Sequence, residues 1–513
     1  MTGQRHRGRD AGGRRRPGVE ESATNRGGVV AALALVLLNV TCVAAAVQAE
    51  AATAPEPVGG PGAVTPVLSP RRVPSLIAAP VADRRLQQAL DGLVARTPGT
   101  SCLVVNAGGR RVFTHNPDVA LVPASLQKLV TATAALEVLG PDATYRTVVA
   151  AATEPDDGVV RGELYLVGGG DPLLMTDAYE ASFERQPQIR TDLEALADQV
   201  VDAGVREVQG SVVGDESRYD RIRYVDGWPP RFIEQDQTGP LSALAVNDNF
   251  VAFPPVFDAA VPDEEAAPEP AVHAAAVLTD LLRARGVVVA GSPAAGGAPS
   301  DAVELAGVES PPLRDVATQM LRESDNMTAE LVLKELGVRL GAGGSTPTGA
   351  AAVSAEIAGM PELAPGQART VVADGSGLSD GNRQSCGSLQ NLLDRAGPGS
   401  ELGQGLAVAG QSGTLAERFL DPPLTGRLRA KTGTLNQVAA LAGFLETVPG
   451  ASVSFTYIVN LTGDDRVGEA ELALQTDLAL ALAVYPQGPA LAELGPQGPV
   501  PAPPPPPPPQ PPG

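Results

Sequence analysis

The stretch Pro123-Ala124-Ser125-Leu126-Gln127-Lys128 decides how the rest of this chain is interpreted. Pro123 stands where a helix can begin, and Gly140-Pro141 is typical of a helix end, so we predict a helix between them. On a helix, residues three apart share one face, with side chains about 5–6 Å apart. Ser125 therefore faces Lys128. A serine hydroxyl becomes a good nucleophile when a neighbouring base takes its proton, and a buried lysine can be that base.

Lysine is scarce in this chain. Of its 38 basic residues only three are lysine, namely Lys128, Lys334 and Lys431. Arginine cannot release its proton at usable pH, whereas a desolvated lysine can, so each lysine is a candidate for proton-transfer chemistry. Lys431 opens the string Lys431-Thr432-Gly433-Thr434. For Lys334 a structural role is expected, because Glu330 lies four residues earlier on a predicted helix and the two form a predicted surface ion pair.

Length and charge narrow the class of protein. A chain of 513 residues can form two or more domains. The formal net charge is −21, although residues 1–28 carry seven arginines against three acidic residues. The remainder of the chain is therefore strongly acidic, which argues against nucleic-acid binding.

The two ends of the chain predict export and a mobile tail. Residues 1–28 form a basic region, and residues 29–49 contain an apolar run that predicts a signal peptide or a signal anchor, which would attach the protein to the membrane if it stays uncleaved. Residues 50–70 are rich in Ala and Pro and predict a linker. Residues 486–513 are rich in Pro and predict a disordered tail. The expected location is therefore the cell envelope, outside the cytoplasm.

Two cysteines follow the export segment, Cys102 and Cys386. An oxidising compartment would allow a disulfide between them. The alternative is a pair of buried thiols.

Three polar clusters can be assembled into an acyl-transfer site: Ser125 with Lys128, Ser324 with Asn326, and Lys431 with Thr432 and Gly433. Such a site needs a nucleophile, a base, a proton donor for the leaving group and donors for an oxyanion. We expect the N–H groups of Ser125 and Thr434 to supply those donors, and Gly433 to let a substrate backbone come close.

Other chemistries lack the necessary residues. The histidines are His6, His115 and His273, none within a recognisable motif, so a Ser-His-Asp triad is not expected. No H-E-x-x-H, H-x-x-E-H or C-x-x-C string is present, so we expect no metal and no cofactor.

The order S-x-x-K, S-x-N, K-T-G is the signature of penicillin-recognising serine enzymes. The individual strings resemble those of low-molecular-mass class C penicillin-binding proteins, the D-alanyl-D-alanine carboxypeptidases/endopeptidases. The matching strings are Val122–Lys128, Gly169-Gly170-Asp171-Pro172, Ser324–Glu330, Asp374-Gly375-Ser376-Gly377-Leu378-Ser379, Gly413-Thr414-Leu415 and Ala430–Leu435.

This resemblance implies an α/β (α+β) fold. A transpeptidase/β-lactamase-like domain, with an antiparallel sheet between helices, would be built from residues 70–146 and 306–485. A β-rich domain, residues 147–305, would be inserted between the S-x-x-K and S-x-N motifs.

The resemblance also implies roles for individual residues. Ser125, Lys128, Ser324, Asn326 and Lys431 would be catalytic. Substrate contacts would come from Thr432, Gly433, Thr434, Leu435 and Asp171. Asp171 would bind the amino end of the substrate side chain, the alternative being a turn-forming Asp before Pro172.

The implied substrates are peptidoglycan stem peptides, with β-lactams as covalent inhibitors. Two other functions remain open at this point. A β-lactamase is the first, although the long insertion argues against it. A slow penicillin sensor or wall scaffold is the second.

Overall fold

The computed structural model describes residues 74–486, apart from 186, 255–263, 361–369 and 449–450. The predictions for residues 1–70 and nearly all of the Pro-rich tail lie outside this range. No helix among the described residues is both long and apolar enough to cross a membrane.

A six-stranded antiparallel sheet forms the centre of the domain that carries the three motifs. In spatial order its strands are β15 (Ala407–Val408), β16 (Leu428–Leu435), β17 (Val438–Val448), β18 (Ala451–Asn460), β1 (Thr100–Ala107) and β2 (Arg110–His115). Strand β1 pairs with β18 from near the end of the chain, so the sheet joins the two sequence segments that flank the insertion.

Helices cover both faces of this sheet. Side chains alternate across a strand, and on β1 the buried Cys102 and Val104 face one hydrophobic core whereas Leu103 and Val105 face another. The first core is closed by α2 (Gln127–Val138), α7 (Leu313–Glu323), α8 (Asn326–Arg339), α9 (Thr346–Ala358), α10 (Cys386–Ala396) and α11 (Glu401–Gln404). The second is closed by α1 (Pro74–Val94) and α12 (Glu469–Ala483). The predicted antiparallel sheet between helices is confirmed.

The segment between the first two motifs has its own sheets. A mixed five-stranded sheet has the order β13 (Ala294–Ala295), β9 (Val212–Asp215), β5 (Leu164–Val167), β3 (Arg146–Ala151), β14 (Val303–Glu309). The smaller sheets contain β12 (Val288–Val289), β8 (Glu207–Val208) and β4 (Val159–Val160); β6 (Leu174–Met175) and β7 (Thr191–Asp192); and β10 (Phe250–Ala252) and β11 (Glu265–Ala266). Its helices are α3 (Asp177–Ser182), α4 (Leu193–Asp202), α5 (Arg231–Glu234) and α6 (Pro270–Ala284).

This insertion has a separate hydrophobic core, to which α4 and α6 contribute as much as the strands do. The sequence analysis described the segment as β-rich and did not predict these helices. Strands β3 and β14 pair at its two ends, with Arg146 opposite Glu309. The chain therefore leaves and re-enters the domain that carries the three motifs at neighbouring points.

The predicted surface ion pair between Glu330 and Lys334 is wrong. Both side chains are fully buried on α8. Lys334 Nζ instead forms an ion pair with Asp220 of the insertion. Glu330 Oε1 accepts the N–H groups of Gly375 and Ser376. Almost every side of helix α8 is covered by other parts of the protein. Glu330 and Lys334, although four residues apart on this helix, therefore bond to distant residues and not to each other.

A disulfide joins Cys102 on β1 to Cys386 at the start of α10, with Cα atoms 5.8 Å apart. Its residues are 284 positions apart in the sequence. The bond therefore fixes a helix onto a central strand of the sheet.

Candidate active site

Ser125 lies in a tight turn rather than in the body of a helix. A single 3-10 turn, Ala124–Leu126, precedes helix α2. Ala124 has a φ of +48°, a region that residues other than glycine seldom occupy. Such strain persists only where the surroundings hold it, and it often marks a functional position. Here the turn points Ser125 into a cleft of about 360 Å³.

Lys128, fully buried in the first turn of α2, lies beside Ser125. Its Nζ lies 3.1 Å from Ser125 Oγ, 2.7 Å from Asn326 Oδ1 and 2.7 Å from the carbonyl oxygen of Ser376. The Oδ1 atom of Asn326 and the carbonyl oxygen of Ser376 can only accept hydrogen bonds. A neutral amine can donate to both and still direct its lone pair at the Ser125 hydroxyl, which is the arrangement that a general base needs.

Ser324 and Asn326 are presented by the junction of two helices. Ser324 ends α7 in a left-handed conformation, with φ +64°. Asp325 then caps α8, its Oδ1 accepting the N–H of Thr328. This corner directs Ser324 toward Lys431 and Asn326 toward Lys128. The Asn326 amide also donates to the carbonyl of Gln237 in the insertion, at 2.7 Å.

Lys431, on β16, is fully buried, and its Nζ donates to Ser324 Oγ at 2.8 Å and to the carbonyl of Thr432 at 2.9 Å. The Thr432 hydroxyl lies 3.0 Å from that of Thr414. Ser324 therefore bridges Lys431 to the cleft, as a proton relay would require.

Gly433 allows two parts of the protein to approach each other. A Cβ at this position would lie 2.9 Å from the carbonyl of Pro123 and 3.2 Å from the nitrogen of Ser125. The sequence analysis expected Gly433 to admit a substrate backbone. The structure shows that it admits the Ser125 turn, which places β16 directly beside the nucleophile. Thr434 is exposed in the cleft, and Leu435 contributes to its wall.

Several cleft residues were not identified from the sequence. They include Phe232, Gln235 and Gln237 from the insertion, and Arg418 and Asn436 from the domain that carries the motifs. The insertion also supplies Trp228, whose indole N–H donates to Asp374 Oδ2 at 2.9 Å. The insertion residues lie more than 80 positions from the motif residues that they contact, and no local pattern marks them.

Asp171 does not line the cleft around Ser125. Its side chain is 1 % exposed, and Oδ1 accepts the N–H of Leu173 at 2.9 Å. Burial raises the pKa of this carboxyl group to about 6. The geometry fits the turn-forming alternative. The contact between Asp171 and a substrate amine stays a prediction.

Burial controls the charges of the two active-site lysines. It lowers the pKa of Lys128 to about 8, against the opposing charges of Asp374, Asp325 and Glu330. It also lowers the pKa of Lys431 well below its usual value, and the charge of Lys128 adds to this effect. Both ammonium groups therefore lose protons more readily than free lysine does.

The fold resembles that of penicillin binding protein 4 (dacB) from Haemophilus influenzae. The TM-score is 0.64 at 22% sequence identity, covering 77% of this chain and 99% of that one. A second structure of that protein, in complex with a β-lactam, matches with a TM-score of 0.58 at 21% identity.

Sequence comparison extends the likeness to named enzymes. The chain is 30% identical over 481 residues to a D-alanyl-D-alanine carboxypeptidase of Actinomadura sp. (strain R39), covering 80% of this chain and 84% of that protein. It is 30% identical to carboxypeptidase DacB of Mycolicibacterium smegmatis, and the match covers 85% of this chain and 93% of that protein. The sequence pattern of the D-Ala-D-Ala carboxypeptidase 3 (S13) family matches residues 77–258 and 255–478. The chain therefore belongs to the D-Ala-D-Ala carboxypeptidase 3 (S13) family.

Proposed function

We propose that this serine-type D-Ala-D-Ala carboxypeptidase acts through an acyl-enzyme on Ser125. The observation that carries the proposal is the 3.1 Å contact between Lys128 Nζ and Ser125 Oγ, in a cleft where burial favours the neutral amine. The resemblance to carboxypeptidases of the same family supports the substrate class, a peptidoglycan stem peptide ending in D-Ala-D-Ala.

The contacts support a step for each residue in the proposed reaction. Ser125 Oγ attacks the carbonyl between the two terminal residues while Lys128 takes the hydroxyl proton. The N–H groups of Ser125 and Thr434 would stabilise the oxyanion. The C–N bond then breaks, and a proton reaches the leaving nitrogen through Ser324 and Lys431. Water hydrolyses the acyl-enzyme, which releases the shortened peptide and restores Ser125.

Export would bring this activity to its substrate. The apolar segment within residues 29–49 supports transport out of the cytoplasm. The disulfide between Cys102 and Cys386 also suits an oxidising compartment. Penicillins would act as covalent inhibitors, and the Haemophilus influenzae protein has been crystallised in complex with a β-lactam.

Labelling with a fluorescent penicillin tests the nucleophile. We expect the wild-type protein to become covalently labelled and Ser125→Ala to stay unlabelled. Ser354→Ala is the control, because its hydroxyl donates within α9, to the Ala350 carbonyl, and does not line the cleft. Labelling of Ser125→Ala at the wild-type rate would place the nucleophile elsewhere.

Product analysis tests the reaction. Incubation with purified muropeptides should shorten pentapeptide stems by one alanine, as read by mass. Rapid turnover of a cephalosporin would instead indicate a β-lactamase. Stable acylation without release of alanine would indicate a penicillin sensor.

A further inference from the structure

Glu330 is a buried acid of the active-site region, and the reaction proposed above gives it no step. It lies on α8, four residues after Asn326, and its side chain is 0 % exposed. Oε1 accepts the N–H groups of Gly375 at 3.0 Å and of Ser376 at 2.8 Å. Oε2 has no hydrogen-bond partner among the described residues. Buried side-chain oxygens seldom lack a partner, so the two oxygens of Glu330 have different roles.

The loop that Glu330 holds also carries the carbonyl group that receives Lys128. The Ser376 N–H is bonded to Glu330, and the Ser376 carbonyl accepts from Lys128 Nζ at 2.7 Å. The peptide between Gly375 and Ser376 is held from its other side as well, because the Gly375 carbonyl accepts from Thr131 of α2 at 2.8 Å. Glu330 is therefore one of the contacts that set the direction of the Ser376 carbonyl.

The neighbouring carboxyl group, that of Asp374, has the partners that an anion requires. Each of its oxygens accepts two hydrogen bonds, the donors being the N–H groups of Gly377 and Ser379, the Asn382 amide and the Trp228 indole. Two negative charges close together in a buried site repel each other, so one of two such acids keeps its proton. With four donors on Asp374 and an unpartnered oxygen on Glu330, the proton belongs on Glu330.

The charges around Glu330 agree with this assignment. Burial and the charge of Asp374 raise the pKa of Glu330, and hydrogen bonds from the loop offset the effect only in part. A charge on Glu330 would in turn raise the pKa of Lys128. Lys334, on the same helix, is already paired with Asp220. An uncharged Glu330 thus holds the loop without favouring the ammonium form of Lys128, which cannot act as a base.

We propose that Glu330 is a positioning residue for Lys128: as an uncharged acid it holds the loop that presents the Ser376 carbonyl to Lys128 Nζ. Oε1 keeps both loop N–H groups, and Oε2 carries the proton. Glu330 does not line the cleft, so it acts through Lys128 and not on the substrate. The inference deepens the proposed function and rests on it, because it takes Lys128 as the base.

The pH dependence of unfolding tests the protonation state without an activity assay. Free glutamate has a pKa of about 4.3. An uncharged Glu330 must therefore gain a proton on folding at neutral pH, and the cost of this step grows as the pH rises. Glu330→Gln keeps the shape and removes the cost. Its unfolding temperature, relative to that of the wild type, should therefore rise between about pH 5 and pH 8. A difference that stays flat or falls would show that Glu330 folds as an anion, which overturns the proposal.

Glu335→Gln is the matched control from the same helix. Glu335 is also buried, but both of its oxygens are bonded to the guanidinium group of Arg218, and Oε2 also accepts from the Tyr219 hydroxyl. Its replacement removes one half of an ion pair. The unfolding temperature of Glu335→Gln should therefore fall, and its difference from the wild type should not rise over the same pH range.

Acylation by one β-lactam tests the positioning role. Glu330→Gln should be acylated within about threefold of the wild-type rate, with the acid limb of its pH profile moved by less than about 0.5 pH unit. Glu330→Asp is one methylene shorter and cannot hold both N–H groups at these distances. It should be acylated at least about tenfold more slowly, as should Glu330→Ala. Circular dichroism checks that each variant is folded.

Two acylation results would contradict the inference. Wild-type rates for Glu330→Asp and Glu330→Ala would show that Glu330 does not position Lys128. A move of the acid limb to lower pH in Glu330→Gln would show that Glu330 carries a charge beside Lys128. If the wild type itself is not acylated, the proposed function fails. The unfolding experiment still tests the proton in that case, and a crystal structure of Glu330→Ala tests the positioning, since the Ser376 carbonyl should then have left Lys128 Nζ.

Discussion

At the residue scale, the two cleft lysines make unequal contacts. Lys128 contacts Ser125, the proposed nucleophile, whereas Lys431 contacts Ser324. A guanidinium group cannot accept a proton at usable pH, although it can attract a carboxylate.

The same substitution at each lysine should therefore have different consequences. We expect Lys128→Arg to slow acylation by about 10²- to 10⁴-fold, the range typical of lost general-base catalysis. Lys431→Arg should slow acylation less, because Lys431 Nζ contacts Ser324 and does not contact Ser125. Stopped-flow acylation with one β-lactam compares the two, after circular dichroism has confirmed folding. Equal rates for the two variants would contradict the role given to Lys128.

The pH dependence of acylation follows from the pKa of Lys128, lowered by burial to about 8. The base works only when neutral, so acylation should rise with pH and level off above about pH 8, with roughly a tenfold change per unit well below that point. The charge of Asp325 favours the ammonium form and raises this pKa. Asp325→Asn should therefore move the acid limb of the profile to lower pH.

Asn can still cap α8, so this variant should remain folded. Asp315→Asn on α7 serves as the control, because Asp315 is exposed and is not among the charges that act on Lys128. If Asp325→Asn moves the acid limb upward or leaves it unchanged, the electrostatic argument for Lys128 is wrong.

At the element scale, the loop Asp374–Ser379 supports the nucleophile from behind. Its Ser376 carbonyl accepts from Lys128, and Glu330 fixes the loop by accepting two of its N–H groups. Gly377 has a φ of +87°, and a Cβ on it would lie 2.0 Å from the carbonyl oxygen of Ala124. The loop and the Ser125 turn are therefore packed backbone to backbone.

Gly377→Ala should displace the Ser125 turn and reduce acylation by at least about tenfold, because 1 Å errors in a reacting group are costly. Gly397→Ala provides a matched control. Gly397 also has a positive φ, +78°, but a Cβ there meets nothing within 4 Å. Both variants place an alanine at a positive φ, and of the two only Gly377→Ala brings a Cβ against Ala124. Similar rates would show that this contact does not position Ser125.

The motifs predicted contacts within one short segment, such as that between Ser125 and Lys128. They did not predict contacts between segments that are distant in the sequence. Helix spacing placed Ser125 beside Lys128, because both residues lie in one short segment. Helix spacing did not predict that Glu330 would bond to a partner other than Lys334. That partner is the N–H group of Gly375, in a loop that packs against α8. The strained conformations of Ala124 and Ser324 depend on tertiary packing as well and have no sequence signal of their own.

At the scale of the whole molecule, the insertion contributes residues to the proposed active site. Its Gln237 carbonyl holds the Asn326 amide, and its Trp228 indole donates to Asp374. Asp374 in turn accepts the N–H groups of Gly377 and Ser379. A path of direct contacts thus runs from the insertion to the loop behind the nucleophile. The position of the insertion was predictable from the 199 residues between Ser125 and Ser324. The contacts of Gln237 with Asn326 and of Trp228 with Asp374 were not predictable.

Trp228→Phe tests that path, because phenylalanine fills most of the same space without an N–H group. The loss of a buried hydrogen bond to a carboxylate should lower the free energy of unfolding by about 1.5–3 kcal/mol and should slow acylation of Ser125. Tyr224→Phe is the control from the same segment, since the half-buried Tyr224 makes no hydrogen bond to any described residue. It should change the free energy of unfolding by less than about 0.5 kcal/mol. If Trp228→Phe is as stable and as readily acylated as Tyr224→Phe, the insertion does not support the nucleophile through Asp374, and its role in catalysis reduces to the contact between Gln237 and Asn326.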